Sequence, residues 1–129
     1  MAENGAEIRF LTVTPILRIF DVAKAREFYV DYLGFSWDWE HRFYDNAPLF
    51  AQVSRAGLVF HLSEHHGDGS PGVSLAVTIS DVAAYQRELA AKQYRYMNAG
   101  IVQSEWEGPV VQVFDPFGNR IRFRQPKSN

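Results

Sequence analysis

Two Asp-Val pairs, Asp21-Val22 and Asp81-Val82, stand 60 positions apart, and each opens a helical apolar pattern directly after a strand-like alternation. A supersecondary unit that recurs at a fixed period narrows the possible folds more than any composition can. In each pair the aspartate is a helix N-cap, because its carboxylate can accept from the exposed amides of the first turn. After Asp21, Val22, Ala25, Phe28, Tyr29, Tyr32 and Leu33 recur at helical spacing and Gly34 supplies a stop, so a helix is predicted over 21–33. After Asp81, Val82, Tyr85 and Leu89 mark a second helix to about Lys92.

Strand patterns flank both helices. Phe10 to Phe20 reads as a strand with Leu11, Val13, Leu17 and Ile19 on one face, and Pro15, lacking an amide hydrogen, interrupts its ladder. Residues 35–43, 48–54 and 57–63 follow the first helix, the last two joined by an Arg55-Ala56-Gly57 turn. The second half repeats the order, with strands at 73–79, 94–102, 109–114 and 120–124 and a turn at Asp115-Pro116-Phe117-Gly118-Asn119. The order is β-α-β-β-β twice. It predicts an α+β domain of two tandem βαβββ modules, with one main helix per module on one face of a mixed four-stranded sheet. Side by side, two such sheets form a curved cup suited to a ligand. The 129 residues are read as a single domain: module 1 over about 8–64, a glycine-rich linker over 65–72 and module 2 over about 73–125.

Composition removes several function classes. Hydrophobic residues at 47% exclude an intrinsically disordered chain. With no cysteine there is no disulfide, no thiolate metal site and no cysteine nucleophile. The net charge of −2 carries no basic stripe, which argues against nucleic acid. No apolar run approaches the roughly 20 residues of a membrane helix. The opening MAENGAEIRF is acidic and polar, unlike a signal peptide, and a cytoplasmic protein is expected.

The paired modules, with ILRIFDVAKAREFYVDYLGF at the start and VFDPFGNRIRF at the end, resemble the glyoxalase, bleomycin resistance protein and dioxygenase group, the vicinal-oxygen-chelate superfamily. The resemblance covers about residues 10–125, and HLSEHHGDGSPG is similar to the bleomycin-resistance-type branch. It implies that the four metal-ligand positions of the superfamily enzymes fall on Thr14, His61, Ser74 and Arg122. Only His61 is a good ligand, Thr14 and Ser74 are weak ones, and the fixed cation of Arg122 repels a metal. No metal and no other cofactor is expected, and the reading leans away from an enzyme. Thr14 and Ser74 become cavity-lining positions.

Aromatic positions carry most of the ligand expectation. The alternation of residues 35–43 sets Phe35, Trp37, Trp39, His41 and Phe43 on one face. Such a face is ordinary sheet core, but two tryptophans and a histidine are large and polar-tipped for a small core. Tryptophans in a cleft stack on planar rings, and Asp38, Glu40 and Asp45 attract a cation there. Trp106, between Glu105 and Glu107, lies in a loop and sits close to a cleft tryptophan of bleomycin-binding relatives. The expected ligand contacts are Trp37, Trp39, Phe43, His61, Trp106 and Arg122. His65 and His66 beside Glu64 and Asp68 suggest zinc, but adjacent histidines point apart, and a solvated loop is the better reading.

The resemblance implies a small-molecule binder that sequesters a planar, cationic ligand such as a bleomycin-type antibiotic without chemistry, conferring resistance as a homodimer. Two other functions stay open: a metal-dependent lyase or dioxygenase of the same superfamily, and a protein-binding module on the same fold.

Overall fold

In the computed structural model, which describes residues 7–126, each Asp-Val pair caps a helix. Asp21 Oδ1 accepts from the Lys24 amide at 2.8 Å and Asp81 Oδ1 from the Ala84 amide at 3.0 Å. Most of the acidic, polar start discussed above lies outside the described residues.

The first sheet holds β1 (Ile16–Arg18), β2 (Ser36–His41), β3 (Phe50–Arg55) and β4 (Leu58–Ser63) in the order β1-β4-β3-β2. The second holds β5 (Ser74–Thr78), β6 (Ile101–Ser104), β7 (Gly108–Phe114) and β8 (Arg120–Arg124) in the order β5-β8-β7-β6. In each, the first strand runs parallel to the last and the other pairings are antiparallel. Helix α1 (Val22–Arg26) widens into a π-helical segment over Glu27–Tyr32, and α2 spans Val82–Lys92. The fold is thus α+β with two βαβββ modules. The repeat reaches single residues: Ile16 and Ala76, like Gln52 and Gln112, occupy matching sheet positions 60 apart.

The widened turn has a packing reason. Leu33 N donates to Phe28 O, five residues back, at 2.9 Å, and Phe28, Tyr29, Tyr32 and Leu33 are all buried. Gly34 follows at φ +81°, a left-handed conformation that favours glycine, and a Cβ there would push on the Arg55 guanidinium. The β3–β4 turn places Ala56 at φ 51° and Gly57 at φ 89°, two left-handed residues that match the twist of a tight hairpin.

Both sheets turn their apolar faces to one interior. Leu17, Val53, Phe60 and Leu62 from the first share a core with Val77, Val111, Ile121 and Phe123 from the second. Polar bonds stitch the halves together: the Tyr85 hydroxyl donates to Leu33 O at 2.8 Å, and Arg55 makes two bonds to Glu88, at 2.6 and 2.9 Å. That pairing holds the Glu88 carboxyl below its ordinary range.

Two strands are shorter than the sequence predicts. The expected strand over Phe10–Phe20 contracts to Ile16–Arg18, because the ladder with β4 begins at the carbonyl of Pro15. Leu11 and Val13 are exposed instead of sharing the face of Leu17 and Ile19. The strand expected over 94–102 shortens and shifts to Ile101–Ser104, and Tyr94 instead stacks on Tyr32 with centroids 4.5 Å apart. No helix among the described residues is long and apolar enough to cross a membrane.

Candidate functional site

Across the outer face of the first sheet, Ile16, His61, Gln52 and Trp39 stand in one row over four strands. A bulge makes that row. Trp37 lies opposite Val53 and Trp39 opposite Gln52, so Asp38 is an extra residue on β2 and the alternation inverts there. The expected single aromatic face is therefore split. Trp37 turns to the core side, where its Nε1 donates to Glu40 at 3.0 Å and the Arg26 guanidinium covers its ring at 4.2 Å. Trp39 turns outward, with its ring 6.1 Å from Phe50 and 5.6 Å from His61 between centroids.

A polar relay fixes His61 within this aromatic setting. Gln52 Nε2 donates to Asp38 Oδ2 at 3.0 Å, which leaves Gln52 Oε1 facing His61 Nε2 at 3.0 Å. An oxygen there requires the proton on Nε2, so neutral His61 keeps its acceptor lone pair on Nδ1. Hydrogen bonds from Ser54 and Gln52 lower the Asp38 pKa and hold it ionised. The row extends past the end of β2: His41 meets Phe43 edge-on at 4.6 Å, and Phe43 meets His65 at 6.1 Å. Phe43 itself lies beyond the strand and is largely exposed.

The remaining sequence-predicted residues sit elsewhere. Thr14 is half-buried and precedes β1; the β1 residue level with His61 is Ile16. Ser74 starts β5 and accepts from Arg120 Nε at 3.0 Å, whereas the β5 residue level with Arg122 is Ala76. Arg122 lies on the outer face of the second sheet and is paired with Glu107, which Arg124 also reaches at 3.3 Å. Trp106 is at the tip of the β6–β7 hairpin, 66% exposed. The structure thus brings Trp39, Phe43 and His61 to one face, puts Arg122 and Ser74 on another, and turns Trp37 inward.

Sequence reasoning missed Phe50, Gln52 and the pairing of Glu107 with Arg122; Asp38 it named for its charge beside the tryptophans, without the bulge. Gln52 had a signal, since Gln112 repeats it at the spacing of the two helix caps. The bulge at Asp38 had none.

The superfamily enzymes hold a divalent metal, and the donor set here does not suit one. His61 spends Nε2 on Gln52, whose amide is itself tied between His61 and Asp38; the remaining members of the row, Ile16 and Trp39, offer no donor, and Arg122 is a guanidinium. Among the described residues no group of three or more histidines and carboxylates is placed to hold an ion.

A cavity of about 490 Å³ lies between the halves, lined by Phe35, Leu58, Val77 and Phe123 and rimmed by Arg55 and Glu88. None of the predicted site residues lines it. Because residues of both sheets border this one interior, the two outer faces look away from each other.

Residues 2–129 match the family model described as glyoxalase superfamily protein. A solved bleomycin-binding protein from bleomycin-producing Streptomyces verticillus, complexed with copper(II)-bleomycin, is 29% identical, with 94% of this chain and 100% of that chain covered and a TM-score of 0.67. A bleomycin resistance determinant encoded on the transposon Tn5 is 20% identical over 92% of this chain and 100% of that chain, TM-score 0.69. TnmS3, an antibiotic binding protein from Streptomyces sp. CB03234, is 20% identical over 94% of this chain and 100% of that chain, TM-score 0.69. At 20% identity the last two share the fold alone. No curated protein matches the chain in sequence.

Proposed function

The chain belongs to the glyoxalase superfamily, and from that premise we propose that it sequesters a planar, cationic small molecule of the bleomycin type, by binding and without chemistry. The observation that carries this reading is the outer face of the first sheet, where Trp39, Phe50 and His61 give stacking surfaces beside the ionised carboxylate of Asp38. Planar cationic ligands are held by aromatic faces and a nearby negative charge. The relative that is 29% identical, a bleomycin-binding protein, supports the same ligand class.

The cleft requires a second copy. In one chain the aromatic face and the face bearing Arg122, Ser74 and Trp106 look in opposite directions. A two-fold dimer sets the first sheet of one copy against the second sheet of the other and forms two equal clefts. Residues 8–13 support this pairing: Ile8, Leu11 and Val13 are exposed, and Phe10 is 95% exposed, an apolar arm with no cover among the described residues. The protein's place is the cytoplasm, where a sequestered drug is kept from its target.

Calorimetric titration with metal-free bleomycin tests the reading. Saturable binding at one drug per chain is expected, and the absence of saturation at high drug concentration overturns the antibiotic assignment.

A further inference from the structure

Glu107 is an acid in an unusual place. It ends the three-residue tip of the β6–β7 hairpin, yet it is only 5% exposed, while its neighbour Trp106 is open to solvent. Its carboxylate lies against Arg122 and Arg124, which project from the same outer face of β8. Two guanidinium groups converging from one strand form the fork that carboxylates and phosphates take bidentately. Here the fork is filled from within. Arg120, the third arginine on that face, donates through Nε to Ser74 and stands apart from the pair. Arg122 Nε is buried without an acceptor among the described residues, so one carboxylate does not exhaust what the fork can donate.

We propose that Glu107 determines ligand charge at this face: it closes the Arg122–Arg124 fork to oxyanions and, through the same contact, pins the hairpin tip that carries Trp106. A tethered carboxylate acts at a high effective concentration, so a dissolved anion does not displace it. With the fork closed, the face offers the ligand an aromatic ring and paired charge rather than free arginine. This deepens the sequestration reading and rests on it for the ligand class, since it explains how a face with three arginines admits a cationic guest. The oxyanion fork itself stands on the contacts alone.

Inorganic phosphate is the probe, titrated into the wild-type protein, Glu107→Gln and the double variant Glu107→Gln/Arg122→Gln, with calorimetry for affinity and tryptophan fluorescence for the hairpin. Thermal melting checks that each variant is folded. The expected result is phosphate binding at least tenfold tighter in Glu107→Gln than in the wild type, lost again in the double variant, with a shifted tryptophan emission in both variants. Equal phosphate binding by the wild type and a folded Glu107→Gln overturns the proposal, as does binding that survives in the double variant. If Glu107→Gln does not fold, Glu107→Asp replaces it: the shorter acid releases part of the fork, and a phosphate affinity unchanged from wild type counts against the proposal. No drug enters this experiment, so a failure of bleomycin to bind and a failure of the fork to open are separate results.

Discussion

The Tyr29 hydroxyl donates a 2.6 Å hydrogen bond to Asp115 Oδ2, joining the helix of the first module to the last turn of the second. The same carboxylate accepts from the Phe117 and Asn119 amides and from Asn119 Nδ2, while Asn119 Nδ2 also donates to Arg18 O on β1. The Phe-Tyr pair of the first module and the Asp-Pro-Phe-Gly-Asn turn of the second therefore meet at one buried acid. Tyr29→Phe removes one charge-assisted bond and leaves the other three, so a loss of about 1–3 kcal/mol is expected in urea unfolding.

The pH dependence has a defined sign. Burial, with Asp115 beside it, raises the Tyr29 pKa well above its ordinary value. The unfolded tyrosine titrates near 10, so its contribution is whole below about pH 10 and is lost as pH rises from there through the folded value. A fall in wild-type stability above that pH is expected, shallower in Tyr29→Phe, as read by melting temperature across the alkaline range.

At the acid end the Arg55–Glu88 pair acts in the opposite direction. The Arg55 guanidinium lowers the Glu88 pKa, so the pair's contribution is present above the unfolded carboxyl value near 4.5 and is lost as pH falls through the folded one. Both partners are over a third exposed, so Glu88→Gln is expected to cost less than about 1 kcal/mol at neutral pH. The difference from wild type should vanish below the folded pKa.

Only one of the two β2 tryptophans is expected to matter for ligand. Trp39→Ala should abolish most of the drug affinity while leaving the fold intact, because Trp39 is on the outer face. Trp37→Ala should leave affinity within about twofold and lower stability by about 1–3 kcal/mol, since its ring packs on the core. Paired calorimetric and unfolding measurements on the two variants check this.

The apolar arm gives a test of assembly. Phe10→Asp with Leu11→Asp is expected to shift the protein from dimer to monomer in sedimentation equilibrium and to reduce drug affinity together with it, because the proposed cleft needs two copies.

The repeat made the fold legible. Two Asp caps, a Gly34 stop and a turn at Ala56-Gly57 are local signals, and local geometry obeys them. The site was legible only in part. His61 follows from strand alternation, but alternation also put Trp37 and Trp39 on one face, and a single inserted residue, Asp38, reverses that. A bulge is a choice of register between two strands and leaves no mark in either strand alone. The pairing of Arg122 with Glu107 was not legible, because Glu107 is brought to it by a hairpin whose closure the sequence does not announce. The late start of the strand at Ile16 reflects Pro15, which has no amide hydrogen to give the ladder.

The most direct measurement is a fluorescence titration of a protein whose only tryptophan is Trp39, made by Trp37→Phe and Trp106→Phe, with metal-free bleomycin. Saturable quenching at one drug per chain is the expected result. Unchanged emission at high drug concentration, from a folded dimer, contradicts the claim that the outer face of the first sheet is the ligand site.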